Sequence, residues 1–419
     1  MAIARIGRAL ALACCLFGCS DSATKPDGST RDASAETTVR ADAAIDLAAA
    51  DSAPDVARDG APDGAPDAAL DVGPDGLSDG APDTADAASA SLLPRLVATT
   101  ADKAYIWNNI DVLTTARAAD VVVNITSASV FAAVHEPSSD RLFVYTDNAT
   151  DGLLIYNAAS TFSASKSPDD IVPAATLGSS AFAELKVAGN DLWLIGVAGV
   201  SRIANAATIS KSSTRTAIFS APFTYGADYD PTGDKLFAAG TSGSSSPLVY
   251  NAASTRSGVV NQASFSLHDL AEPLDVLIDA GRLYISYSGA NSGVRIWNNA
   301  SSISAAKVPD VALTTGLGDA WDLSMRNGTL AVLVDDTSAG TFVNIYAAAA
   351  QLSGDVAPTK TVSHASINNN PYLVLLGANQ RLYVLDDDGL SIFKDVTSNP
   401  TFVAELPVAN GFSDATFIE

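Results

Sequence analysis

The feature that most constrains this chain is a period. "LLIYNAASTFSASKSPDDIVPAATL" (153–177) and "VRIWNNASSISAAKVPDVALTT" (294–315) spell nearly the same unit, and fainter copies surround them. An aromatic residue or its stand-in recurs after β-branched residues as Trp107, Tyr156, Ala204, Tyr250, Trp297, Tyr346 and Phe393, spaced 46 to 49 residues apart. A leucine lies 11 to 16 residues upstream of each: Leu96, Leu142, Leu192, Leu236, Leu283, Leu330 and Leu382. The leucines sit in short, alternating, β-rich runs such as "RLFVYT", "RLYISY" and "RLYVLD", the pattern of half-buried strands. Gly, Asn, Asp and Ser between the two series supply turns. A third run follows, often after a proline, and a fourth such as "PLDVLID" or "AWDLSM" leads into the next leucine.

Each unit therefore holds four short strands in about 47 residues, seven times over. One four-stranded unit cannot bury both its faces; a ring of them can. The fold class predicted is all-β, a seven-bladed propeller over residues 93–419. The ends of the repeat predict how it closes. With strands lettered a (inner) to d (outer), the first unit begins at strand b, "PRLVATT", and the chain ends on "FSDATFIE", which has the strand-a pattern. Placed beside Leu96, that last run completes the first blade and removes two open edges.

The modules "GRLYISYSGANSGVRIWNN" (281–299) and "QRLYVLDDDGLSIF" (380–393) resemble NHL-type repeats. They also resemble the wider group of bacterial seven-bladed propellers that includes lactonase-like and gluconolactonase-like proteins. The resemblance covers about 93–419 and implies architecture; the same blade serves scaffolds, binders and enzymes. The Trp321-Asp322 dipeptide does not recur, so it is no WD-repeat signature. Asn108-Asn109 and Asn298-Asn299, with single members at Asn157, Asn205 and Asn251, fall where strand c ends. Asn tolerates left-handed backbone, so the pairs predict repeated turns at an outer corner.

Ahead of the repeats, MAIARIGRALALACCLFGCS has a basic start and an apolar run from Ala9 to Phe17. That run is too short to span a bilayer as a helix and reads as a secretory signal peptide at 1–18. Leu16-Phe17-Gly18-Cys19 resembles the bacterial lipobox, which implies cleavage before Cys19 and acylation of its thiol. Cys14, behind a shorter apolar run, is the alternative. All three cysteines lie in this segment, so a mature chain starting at Cys19 has no second thiol for an intramolecular disulfide. Ser20 after Cys19 implies, by resemblance to bacterial sorting rules, the outer membrane. The expected localisation is exported, anchored to the envelope through the lipid bilayer.

Residues 19–92 show no hydrophobic periodicity. Asp recurs every fourth residue from Asp51 to Asp83, and residues 20–92 hold 15 Asp and one Glu against Lys25, Arg31, Arg40 and Arg58. Carboxylates stacked at i, i+4 repel on a helix, and Pro and Gly break it. The segment is expected to be a disordered, extended tether, or else a low-affinity cation-binding tract.

The propeller itself carries 18 Lys+Arg and 31 Asp+Glu. Nucleic acid and anionic lipid surfaces are poor partners for such a charge; envelope proteins, glycans or a small ligand are better ones. Function in a propeller sits at a mouth of the central channel, lined by strand a. Counting back from the leucines gives its first inward positions as Asp414, Ala132, Ala183, Gly226, Asp275, Asp322 and Leu373. The residues before them are Ser413, Phe131, Phe182, Tyr225, Leu274, Trp321 and Tyr372. Asp275, Asp322 and Asp414, with Glu272 and Asp319 in adjoining loops, are candidate ligand-binding residues together with Trp321 and Tyr372. The three aspartates could hold a Ca²⁺, which favours oxygen ligands; otherwise no cofactor is expected. Bonding of each Asp to backbone N–H groups is the simpler alternative. His268 and His364, in d–a loops, are candidate bases. No G-x-S-x-G, H-E-x-x-H or P-loop pattern occurs. The expected function is a binding or scaffold module of the envelope; the alternative is a metal-dependent lactonase-like hydrolase with its site at the channel mouth.

Overall fold

A computed structural model describes residues 93–419, apart from 126–128, 149, 179–181, 198, 222–223, 241–245, 269–271, 290–291, 337, 368–369 and 408–411. The leader, Cys19 and the 19–92 tether lie outside the described residues. The repeats form seven antiparallel sheets, each with a core of four strands in the order a-b-c-d. The C-terminal strand Asp414–Ile418 is the inner strand of blade one, pairing with Arg95–Thr100 so that Leu96 faces Phe417 and Arg95 faces Ile418. Three strands of that blade come from the start of the domain and one from its end.

All seven leucines of the period are at most 1 % exposed. Each sits across from its partner on strand c: Leu96 from Trp107, Leu142 from Tyr156, Leu236 from Tyr250, Leu283 from Trp297, Leu330 from Tyr346 and Leu382 from Phe393. In blade three the partner of Leu192 is Ile203, not Ala204, because the position is aliphatic there and the aromatic signal is lost. The core is correspondingly divided into seven apolar clusters, each drawn from two neighbouring blades, such as Leu385 and Ile392 with Leu96 and Trp107.

The outer corner is the same device in every blade. Two residues beyond the strand-c partner the backbone is left-handed: Asn109, Ala158, Asn205, Ala252, Asn299, Ala348 and Asp395, all with φ between 49° and 57°. In blades one to six the residue before it donates its N–H to a side chain at the d strand. Asn108, Asn157 and Asn298 donate to Asp120, Asp169 and Asp310 at 2.6–2.7 Å. Those carboxylates pair with Arg117, Lys166 and Lys307 three residues earlier. This explains the near-identity of the 153–177 and 294–315 stretches. Basic residues at the start of strand b then tie blade to blade: Arg141 donates to Ile209 O at 2.9 Å, and Arg282 to Ala349 O and Leu352 O at 2.6 and 2.8 Å.

Blade three departs from four strands. Gly258–Val260, from the long c–d connection of blade four, adds a fifth strand parallel to Ala217–Phe219.

Candidate functional site

The inner strands set the channel wall. The register of each a–b hairpin fixes which residues share a level, because strand a pairs with the residue three beyond the leucine. Asp414 faces Thr99, Ala132 faces Tyr145, Gly226 faces Ala239, Asp322 faces Leu333 and Leu373 faces Leu385. Asp275 donates its N–H to Ser286 Oγ at 2.9 Å, at the same level. In blade three the residue at this level is Glu184, opposite Ile195, rather than Ala183. Ala183 is instead the extra residue at the register shift between Phe182 and Glu184; the two-residue turn Gly189-Asn190 matches Ala280-Gly281 and Asn327-Gly328 of blades five and six, so their spacing of eight residues, counted from Leu192, reaches Glu184.

The three aspartates of this ring each reach the inner strand of the next blade. Asp414 Oδ2 accepts the N–H of Ala133 at 2.8 Å, Asp275 Oδ2 that of Leu323 at 3.0 Å, and Asp322 Oδ2 that of Val374 at 2.7 Å. The other oxygens of Asp275 and Asp414 accept the N–H of Val276 and Ala415. Blade four has Gly226 at this level, where a Cβ would lie 2.7 Å from the Asp275 Cα. Its staple is displaced two residues along, to Asp228, which accepts from Ile278 of blade five and from Tyr229, both at 2.8 Å. Ser324 Oγ repeats the link between blades six and seven by accepting from Leu376 at 2.8 Å. Hydrogen bonds to a charged acceptor are worth roughly 1.5–3 kcal/mol each. Among the described residues no three His, Cys, Asp or Glu side chains gather as a metal-holding group.

Glu184 and Lys186, neither singled out from the sequence, behave differently. They pair at 3.0 Å, and Lys186 Nζ donates to Val276 O of blade five at 2.9 Å. Burial pushes the Glu184 carboxyl up, against the pull of Lys186 and with help from Asp275 and Asp322. Burial also opposes the charge of Lys186, but Glu184, Asp228 and Asp275 outweigh it and hold the ammonium above its usual range. Burial likewise raises Asp228.

These strands line a cavity of about 620 Å³. All seven residues of the step before the ring line it, with Phe131, Tyr225, Trp321 and Tyr372 forming an aromatic collar. Tyr372 is held by a hydrogen bond to Phe412 O. Below the collar the wall is mixed: blades three, five and six contribute Glu184, Lys186, Asp275, Asp322 and Ser324 beside Leu277 and Met325, blade one contributes Asp414, and blades seven and two contribute Leu373, Leu375 and Val134.

The remaining sequence candidates stand elsewhere. Glu272 accepts from Ser288 Oγ at 2.9 Å and Asp319 from the N–H of Gly289 at 2.8 Å, so both brace the b–c turn of blade five. His364 stacks on Phe402, with ring centroids 4.2 Å apart, against the outer strand of blade seven. His268 is exposed beside Lys307, whose carbonyl accepts its N–H. None of the four lines the cavity among its described residues, and neither histidine meets the aspartate ring. The signal that would have found Glu184 and Lys186 was the alternation in "FAELKVA", which puts two opposite charges on one face of an inner strand.

No family model matches this chain, and no curated protein does. Solved structures match in fold. A propeller from Bacteroides uniformis that bears the inferred name 6-phosphogluconolactonase aligns at TM-score 0.55 and 11 % identity, over 78 % of this chain and 99 % of that one. The Cps50 (Swd1) propeller domain of Myceliophteria thermophila aligns at 0.49 and 8 %, over 69 % of this chain and 89 % of that one, and the WD40 propeller of Doa1 at 0.49 and 9 %, over 70 % and 87 %. At such identities the likeness is one of fold alone.

Proposed function

We propose that this chain is an envelope lipoprotein in which acylated Cys19 and the 20–92 tether present a seven-bladed binding module, and that a small ligand enters its central channel. The observation that carries the reading is the cavity of about 620 Å³, with an aromatic collar above a wall of interspersed polar and apolar side chains. Concave sites of this size, mostly apolar with a few convergent polar groups, are where small molecules bind. The ring aspartates favour binding over metal-assisted hydrolysis. A single Ca²⁺ needs its oxygens within about 2.3–2.6 Å, whereas these carboxylates are each drawn onto the backbone of a different neighbouring blade. The anchor rests on the Leu16–Cys19 motif, the confinement of cysteine to 14–19 and the composition of the tether.

Two experiments test the two halves. Cys19→Ser should abolish labelling by a radioactive fatty acid and leave the protein off the membrane; labelled, membrane-bound Cys19→Ser protein contradicts the anchor. The neutral, polarity-sensitive dye Prodan should brighten and shift to the blue with the intact chain. That response should be lost in Leu277→Trp and in Leu375→Trp, which fill the channel from opposite walls. Undiminished dye binding in both, with unchanged circular dichroism, contradicts the channel as the site.

A further inference from the structure

One acidic side chain of the channel differs from the others at its level. Asp275, Asp322 and Asp414 accept backbone N–H groups of the next blade. Glu184 accepts none among the described residues; its Oε1 meets Lys186 Nζ at 3.0 Å, and its Oε2 takes no hydrogen bond there. Lys186 has three N–H donors and spends two, on Glu184 and on Val276 O at 2.9 Å. Both side chains line the cavity and stay 28 % and 23 % exposed, so the pair is within reach of a ligand rather than sealed. It presents one carboxylate acceptor next to one ammonium donor.

Such a pair resists a charged ligand. An anion would have to win Lys186 from Glu184, Asp228 and Asp275, which together hold its charge. A cation would have to win Glu184 from Lys186. Either exchange takes one member of an enclosed ion pair from its partner, which is strongly destabilising. A neutral group with a carbonyl beside an N–H disturbs neither contact. Its carbonyl accepts the remaining Lys186 N–H, and its own N–H donates to Glu184 Oε2. Hydrogen bonds with one charged partner are roughly twice as strong as neutral ones, and a carboxamide carries both atoms on one planar edge.

The surroundings say what carries that edge. Glu184 stands at the level below the collar, and Lys186 is two strand residues, roughly 7 Å, deeper. Phe131, Tyr225, Trp321 and Tyr372 supply aromatic surface above the pair, against which another ring packs. Leu277, Met325 and Val134 line the cavity further down. One ring with a short amide arm would span collar and pair.

We propose that the channel takes a neutral carboxamide on an aromatic body, with the amide edge on Glu184 and Lys186 and the ring in the collar. This rests on the channel being the ligand site.

Four probes of one shape test it on the full chain by isothermal titration. They are phenylpropionamide, the ketone benzylacetone (a methyl in place of the amide nitrogen), the anion phenylpropionate and the cation phenylpropylammonium. The amide should bind at least about tenfold more tightly than the ketone, the difference made by one N–H donated to a carboxylate. It should also bind more tightly than either ion. Glu184→Leu/Lys186→Met removes both charges together, so that neither is left enclosed alone. In that variant amide and ketone should bind within about twofold of each other. A parent chain that binds the ketone or either ion as tightly as the amide overturns the proposal, whatever the variant does. An amide preference that survives in the double variant overturns it too. So does failure of the amide to bind while Prodan still enters the channel, a result that leaves the channel site standing. Failure of both Prodan and the amide overturns both readings.

Discussion

Closure of the ring through its last strand can be tested at one residue. Ile418 is fully buried in the cluster between blades one and two, and it is opposite Arg95 in the five-residue ladder that seals blade one. Ile418→Ala removes the side chain but leaves the backbone ladder. Buried Ile-to-Ala changes cost about 2–5 kcal/mol, the transfer of the lost carbons plus the cavity they leave. With about 2.1 cal/mol/K of unfolding entropy per residue, a propeller of this size gains about 0.7 kcal/mol/K on unfolding. The melting midpoint should therefore fall by about 3–7 °C, read by differential scanning calorimetry. Deleting 414–419 should do more, since it also exposes the edge of Arg95–Thr100 to pairing with other chains. The truncated protein should aggregate or lose its cooperative transition. Deleting 20–92 should leave the midpoint within about 1 °C, because a segment of its Asp-, Ala-, Pro- and Gly-rich composition is expected to add little stability. An Ile418→Ala midpoint equal to that of the parent would refute the strand's part in closure.

Other consequences follow from single contacts. Asp322→Ala strips the acceptor from Val374 N–H across the blade six–seven boundary and should cost about 1–3 kcal/mol by urea denaturation, with Asp322→Asn losing less. Ala158, Ala252 and Ala348 hold the left-handed corner that Asn occupies in three other blades; replacing all three with Asn should raise stability by about 1–3 kcal/mol in the same assay. Asp386 is 2 % exposed, and burial pushes its carboxyl up to about 6 despite N–H bonds from Asp388 and Gly389. A carboxyl raised in the folded state favours folding when protonated, so stability on its account is full below about pH 4 and falls as pH rises through about 6. Asp386→Asn should flatten that loss and melt higher than the parent at pH 8 but not at pH 4, by thermal scans across pH; a gap independent of pH would contradict it.

The ring and its closure were legible because they rest on periodicity. A leucine and an aromatic side chain meet across strands b and c in six of the seven units. The signal failed where chemistry was interchangeable. Ile203 fills the aromatic place in blade three as well as Tyr would, so the periodic reading drifted to Ala204. The bulge in the inner strand was equally invisible: the register shift between Phe182 and Glu184 puts Glu184, not Ala183, at the channel level. Glu184 and Lys186 were missed for that reason, and Asp228 because its staple is displaced around Gly226. The positions of His268 and His364 depend on which way a loop folds back, which no periodicity encodes.

The channel as a binding site is tested most directly by the tryptophans. Trp107, Trp193 and Trp297 are at most 2 % exposed between blades, while Trp321 lines the cavity. In the chain labelled with 5-fluorotryptophan, Trp321→Phe assigns the channel resonance by its disappearance, and Prodan is then titrated in. The result expected is a fluorine shift of the Trp321 resonance alone, saturating with the dye's fluorescence. Dye binding that leaves the Trp321 resonance unmoved would contradict the channel as the site.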